Sequence, residues 1–343
     1  MIKISEFKHL NELNEIYDSA DYSYPISNPN FLSEWKKFIY PNKLLMATVL
    51  DEGRIVGYCP ILENRSDFLF RVFKPRTIFL PMILSHKIEP ESYRELFHEF
   101  LKSDSQKSFA MYHFNFLDPF KEVERELLSD NTIKVEFVTH ASEVNGFRLH
   151  KKIRQRVKKA KEYGLWIDGE ITNGSVEQYL RCRNETLDRK RSAGDYQSLK
   201  PEKHLSFYQT LDESNVGKFL LTRDDENNVL GGGFIIHNKN AAIPLYSATC
   251  NKGLQKYAGY FFRYNIIQFC KERKIKYFDS YGCYKNSPNV DYQNMYMFKS
   301  KWGEEIDVSQ YVKCPNIVKK PVSKYLSNRA HVELPSTKSS QGG

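Results

Sequence analysis

Between Gly253 and Gly303 the chain places residues able to hold and activate a carrier-linked group. Gly253 and Gly259 bracket the opening of a helix, and a helix that starts at a glycine-containing turn presents unpaired N–H groups and a positive dipole end. Such a start, with Gln255 and Gly259 as carrier-binding candidates, suits the pyrophosphate of coenzyme A or the phosphates of an RNA end. Close packing explains the same glycines without a ligand. Phe261, Phe262, Tyr264, Ile266, Ile267 and Phe269 are dense enough to bury this helix on most sides against a sheet. Lys271, Arg273 and Lys274 crowd its end, where cations complement the dipole. Ile275 to Phe278 then reads as a short core strand, closed by the carboxylate of Asp279. After a polar loop comes a second short helix with Met295, Met297 and Phe298, and Lys299 follows beside Trp302-Gly303.

The second concentration of charge is Phe147 to Tyr163, FRLHKKIRQRVKKAKEY. Leu149, Ile153, Val157 and Ala160 form a narrow apolar stripe, and cations that include Arg154, Lys158 and Lys161 cover the remainder. A basic helix of this kind tracks phosphates; a solvated helix between domains is the other reading. The formal charge of +9 favours anionic partners such as tRNA, nucleotide-linked precursors or a membrane surface. Six cysteines show no CxxC and no His/Cys cluster, so no metal site and no disulfide framework is expected. GxSxG, HExxH and Walker patterns are absent, and the nine histidines are scattered. Acyl transfer to an amine needs none of these. It needs a neutral amine, a carrier held in line with it, and donors aimed at the developing oxyanion.

The elements that must position these residues alternate. Helices are expected from Phe7 to Ala20 and Phe31 to Ile39, then strands from Leu44 to Leu50 and Arg54 to Leu62 around the turn Asp51-Glu52-Gly53. A strand at Ile78–Leu84, a helix at Ser92–Leu101, a strand at Phe109–Phe116, a helix at Glu122–Leu128 and a strand at Ile133–Val138 complete a first unit with a mixed sheet. Asp118 follows the Phe109 strand, where Asp-Pro starts a turn. In the second half, Val176–Lys190 and Glu202–Leu211 read as helices joined by RSAGDYQSLKP. The hairpin pattern returns there: LLMATVLDEGRIVGYCPILEN slides without a gap onto KFLLTRDDENNVLGGGFIIHN. Thr48 meets Thr222, Gly57 meets Gly231 and Asn64 meets Asn238 at a constant offset of 174 residues, which argues for a duplicated domain. No signal-peptide core opens the chain, and no run of about 18 apolar residues spans a bilayer, so a cytoplasmic protein is expected.

The order of LYSATC (245–250), the helix from Gln255, the strand ending in Phe278-Asp279 and the terminal Phe-Lys…Trp-Gly resembles the C-terminal half of the Fem-type transferases, from about Asn28 to about Ile306 overall. The resemblance implies an α/β fold of two tandem GNAT-like domains, each a mixed sheet flanked by helices. Residues 1–146 would form the first, with 309–325 packing back on it; 147–308 would form the second, and 326–343 a disordered tail. The long helical-hairpin arm of some members is missing, which implies the compact subgroup. By the same resemblance Lys36 or Lys37, just after a tryptophan, contacts the phosphates of the acceptor, and Tyr246 lines the acceptor channel. Lys299 corresponds to the lysine at the reaction centre; pairing with Asp279 or Asp291 is its structural alternative. Asp279, at the cleft side of its strand, would orient the amine or Lys299. The activity implied is aminoacyl transfer from aminoacyl-tRNA to an amine of a nucleotide- or lipid-linked envelope precursor or related peptide, by a monomer with no bound cofactor. An acetyl-coenzyme A-dependent N-acetyltransferase acting on an amino sugar or surface polysaccharide is the alternative, and a non-catalytic RNA-binding protein is a third reading.

Overall fold

A computed structural model of the chain describes residues 1–8, 11–39, 42–64, 75–103, 109–130, 132–189, 201–328 and 331–333. Most of the RSAGDYQSLKP loop and the tail from residue 334 lie outside them. The described residues build two mixed sheets flanked by helices. The first runs, in spatial order, Ile2–Glu6, Lys43–Asp51, Arg54–Glu63, Arg76–Phe79, Ala110–His113, Gln310–Lys313, Ile133–Val135 and Val332–Glu333, with Ile83–Leu84 paired to Arg54–Glu63. The second runs Trp166–Asp168, Gly217–Arg223, Val229–His237, Ala241–Thr249, Tyr277–Asp279, Phe137–Glu143 and Cys283–Tyr284, with Glu304–Asp307 paired to Phe137–Glu143. Read from these edges, both sheets repeat one pattern over six strands: three antiparallel pairings, one parallel, one antiparallel. The α/β class with two GNAT-like units stands on this repeat.

The two hairpins occupy the same place in each sheet, and each is bulged at the same point. Pairing skips Val56 in the first (Val49↔Gly57, then Leu50↔Ile55) and Leu230 in the second (Thr222↔Gly231, then Arg223↔Val229). Val56 and Leu230 are separated by the 174-residue offset, whereas the partner of Gly57 is Val49 rather than Thr48. The second connection is therefore one residue longer, and the incoming strands correspond with a gap that the ungapped alignment lacked. An extra residue in a bulge bends and twists a strand, so its recurrence reports shared backbone geometry.

The expected boundary at 147 does not coincide with the change of sheet. Ile133–Val138 is two strands: Ile133–Val135 ends in the first sheet, and Phe137–Glu143 belongs to the second. The chain crosses back after Glu304–Asp307, so that Gln310–Lys313 inserts between Ala110–His113 and Ile133–Val135. Each sheet thus borrows an inner strand from the other half of the chain. Helix Asn316–Ser327, with Pro321 inside, reaches two residues into the segment expected as a tail, and Val332–Glu333 pairs with Ile133–Val135. Val318, Val322 and Leu326 pack on Ile133, Val135 and Val312, which is the burial that a composition rich in Pro and Lys concealed. Strand Ile2–Glu6, unforeseen, pairs with Lys43–Asp51.

One core spans both units. Asn28 caps helix Pro29–Phe38 by accepting from the Asn30 and Phe31 N–H groups (2.9 and 3.2 Å), which fixes the helix start. Its Phe31 and Phe38 then meet Phe207 of helix Pro201–Glu213, the second ring pair stacked at 4.5 Å. Such contacts seat the first unit on the second beside Tyr246, 6.2 Å from the Phe38 ring.

Candidate active site

The parallel pair differs between the two sheets. In the first, Arg76–Phe79 and Ala110–His113 pair over four residues, and the seam stays shut beyond them: the Leu80 N–H donates to His113 O and the Asn115 amide to Leu80 O, both at 2.9 Å. In the second, only Ala241↔Tyr277 and Ala242↔Phe278 pair. From Ile243 onward the strands part, and the gap between their C-terminal ends is where an open α/β sheet accepts a ligand.

Three tyrosines with left-handed backbones stand around this gap: Tyr246 (φ 53°) on one wall, Tyr281 (φ 60°) on the other, and Tyr257 (φ 60°) at the N-cap of helix Ala258–Glu272. For a bulky residue this conformation is costly, and it persists where neighbours enforce it, characteristically at functional sites. Here the neighbours are visible. The Tyr179 hydroxyl donates to Tyr246 O, and the Arg183 guanidinium lies 5.0 Å from the Tyr246 ring centre. The Tyr281 N–H donates to Asp279 Oδ1 at 2.8 Å. Arg156 lies over the rings of Tyr257 and Tyr260 at 6.0 and 4.5 Å and donates to the Tyr260 hydroxyl. The sequence carries no signal for any of the three conformations.

Asp279 is buried and accepts from the hydroxyls of Tyr24 and Thr139 as well as from Tyr281. Burial raises its pKa, opposed by those hydrogen bonds and by the field of Lys299. A carboxylate so enclosed is a tie between the first unit, strand Phe137–Glu143 and the Tyr281 turn. Lys299, 8% exposed, donates from Nζ to Tyr281 O and Gly282 O, both at 2.8 Å, and so is anchored on the turn that Asp279 orients. Gly282 is required there, because a Cβ would stand 1.9 Å from Phe137 Cε1. Tyr24, His113, Asn115, Asp279 and Tyr281 line a small, half-open space of about 10 Å³, the size of one water. Burial lowers the His113 pKa to about 4, so its imidazole is neutral at neutral pH.

Two further groups went unnoticed in the sequence. Arg263, inside the apolar run of helix Ala258–Glu272, is 6% exposed; its guanidinium lies 5.0 Å from the Phe298 ring and 5.9 Å from Phe278, and Nη1 has no hydrogen-bond partner. Desolvation lowers its pKa to about 10 against the attraction of Asp279. His140 is held neutral by burial, with its pKa lowered to about 4; neither ring nitrogen is hydrogen-bonded, and Nε2 stands 4.0 Å from Glu305. An arginine between Phe261-Phe262 and Tyr264, inside the apolar run, was the one available clue.

The remaining candidates divide. The packing reading fits Gly253, whose added Cβ would stand 2.0 Å from Leu230 O, while Gly259 is half-buried, with a Cβ 3.0 Å from Thr249 Oγ1. Gln255 is exposed just before the Tyr257 turn. Helix Lys151–Glu162 buries Ile153, Val157 and Ala160 and leaves Arg154 and Lys158 in solvent, Lys158 lying 3.8 Å from Glu162. Lys161 lies 5.2 Å over the Tyr264 ring. Lys36 and Lys37 make contacts within the first unit: Lys36 donates to Phe7 O (3.0 Å) and pairs with Glu6 (3.2 Å), and Lys37 pairs with Glu34 (2.7 Å). The geometry therefore gathers Asp279, Lys299 and Tyr246 at the gap and places the basic helix alongside.

Compared with solved structures, the chain superposes on a crystal structure of FemX with a TM-score of 0.65, over 95% of this chain and 100% of that one, at 11% identity. The fold is that of FemX. L-PGS from Bacillus licheniformis gives 0.57 over 95% of this chain and 98% of that one, at 11% identity. A conserved protein of unknown function from Bacteroides thetaiotaomicron gives 0.58 over 92% and 99%, at 10% identity. Identities this low speak for the fold alone. No family model and no curated protein sequence matches the chain.

Proposed function

We propose that the protein is an N-acyltransferase that moves an aminoacyl group from aminoacyl-tRNA to an amine of a nucleotide- or lipid-linked envelope precursor or related peptide. The observation that carries this reading is the parting of Ala241–Thr249 from Tyr277–Asp279, with a fixed cation, Lys299, held on the Tyr281–Gly282 turn that follows the second strand. The amine attacks the ester carbonyl, the C–N bond forms, the C–O bond to the carrier breaks, and the departing carrier oxygen takes up the proton that the amine loses, leaving as a hydroxyl. Lys299 is assigned to the developing oxyanion, a contribution of about 3 to 4 kcal/mol in a dry site. Asp279 is a positioning residue, holding the Tyr281–Gly282 carbonyls that anchor Lys299. The carrier's phosphates are assigned to the start of helix Ala258–Glu272, near Gln255 and Gly259, and to Arg154, Lys158 and Lys161. Tyr246 and the first unit's Lys36 and Lys37 are assigned to the acceptor. No helix among the described residues is long and apolar enough to cross a membrane, and a tRNA-dependent role places the protein in the cytoplasm.

The reading is tested by incubating the protein with mixed aminoacyl-tRNA and candidate amine acceptors, with and without ribonuclease. Transfer abolished by ribonuclease is the expected result. The second reading, coenzyme A-dependent N-acetylation, draws on the compact helix start at Tyr257, where Arg156 stands beside the cap and few phosphates would fit. Ribonuclease-resistant acetyl transfer, with a coenzyme A-induced rise in melting temperature, would select it.

A further inference from the structure

Away from the gap, a polar cavity of about 470 Å³ opens between helix Asn173–Arg189 and the turn Glu226–Asn228, and two cysteines line it. Cys182 comes from the helix and Cys250 from the residue after strand Ala241–Thr249, and the two thiols are neighbours on the cavity wall, close enough to shift each other's ionisation. The backbones carrying them are already fastened. Thr186, one turn beyond Cys182, donates to Cys182 O (3.0 Å) and Thr249 O (2.9 Å) and accepts from the Thr249 N–H (3.1 Å). Cys250 Sγ also accepts from the Gly253 N–H at 3.3 Å. The neighbouring Cys182 thiol, with the Gly253 N–H, lowers the Cys250 pKa to about 7 against burial, while Cys182 is raised. Elsewhere, Cys270 is raised to about 12 by burial, as expected of an unreactive thiol.

We infer that Cys182 and Cys250 form a reversible disulfide site, addressed through the cavity by small disulfides of the glutathione class. The Cys250 thiolate attacks one sulfur of the small disulfide, whose S–S bond breaks and expels one thiolate; that thiolate takes up the proton Cys250 released. Cys182 then loses its proton to the second leaving thiolate as its sulfur attacks Cys250 and closes the protein S–S bond. Two protein thiols are oxidised and one external disulfide is reduced to two thiols. The bridge would join the helix bearing Tyr179 and Arg183, both in contact with Tyr246, to the end of the strand that carries Tyr246. Oxidation thereby bears on one wall of the gap, and the site stands whether or not the acyl-transfer reading holds.

The test equilibrates the full chain with oxidised glutathione, blocks free thiols, and maps peptides without reduction. A Cys182–Cys250 cross-linked peptide that dithiothreitol removes is the expected product. Cys182→Ser should stop at a glutathione adduct on Cys250, and Cys250→Ser should give neither species at these positions. Circular dichroism confirms that each variant is folded; if one is not, the wild-type map alone decides. A folded wild type that keeps both thiols free, or that carries glutathione on Cys250 without the cross-link, would overturn the inference.

Discussion

Lys299 donates to the carbonyls of Tyr281 and Gly282, so its charge is fixed before any substrate arrives. Preorganisation of this kind makes an oxyanion donor effective, since the reaction does not then reorganise it. Lys299→Met is expected to lower kcat by about 100-fold or more with little change in KM, the signature of an interaction made only in the transition state. Single-turnover kinetics checks this, and an unchanged rate would remove Lys299 from the mechanism. As a candidate the residue was legible from the local pattern Phe298-Lys299…Trp302-Gly303. Arg263 and His140 were not, because their significance lies in burial without partners, which is set by packing from elements distant in sequence. The left-handed tyrosines were hidden for a related reason: tyrosine has no local preference for that conformation, so only the tertiary structure imposes it.

At the scale of elements, helix Lys121–Ser129 is seated by a buried acid pair. Asp118 makes the expected turn, accepting from the Phe120 N–H at 2.8 Å, but its side chain also meets that of Glu124, which accepts from the Tyr93 hydroxyl. Burial raises the Asp118 pKa to about 6, and burial together with the Asp118 charge raises that of Glu124 further. For acids whose folded pKa exceeds the unfolded value, the stability they add is complete below the unfolded values, 3.8 and 4.5, and is lost as pH rises through about 6 and beyond. Glu124→Gln retains a donor without the titration. Its melting temperature relative to wild type is therefore expected to climb between pH 5 and pH 8, by about 1 to 2 °C if about 1 kcal/mol is at stake in a chain of this length. A pH-independent difference would contradict the shared proton. The repeated hairpin was legible from its turn residues, and even its bulge falls at aligned positions, yet the strand Ile133–Val138 was read whole. A β-rich run says nothing about the sheet in which each half will pair.

For the whole molecule, the exchange of inner strands has a thermodynamic consequence. A fragment ending at residue 146 lacks Gln310–Lys313 and strands Phe137–Glu143 without its sheet, and the fragment 147–308 lacks the strand that pairs with Tyr277–Asp279. Neither fragment is expected to fold alone, and calorimetry of the full chain should show one cooperative transition despite two units. Two resolved transitions would contradict this. The net charge of +9 completes the picture, with helix Lys151–Glu162 holding its cations in solvent beside the start of helix Ala258–Glu272. The central claim is that this face holds an aminoacyl-tRNA whose ester reaches the gap. The salt dependence of tRNA binding, measured for wild type and for the triple variant Arg154→Gln, Lys158→Gln, Lys161→Gln, tests it most directly. Each lost phosphate contact should reduce the logarithmic slope by about 0.7 to 0.9, so the account predicts steep salt dependence in the wild type and a slope flatter by about two in the variant, with KM for the tRNA raised and kcat nearly unchanged. Tight binding of acetyl-coenzyme A by both proteins, with no salt-sensitive tRNA complex in either, would contradict it.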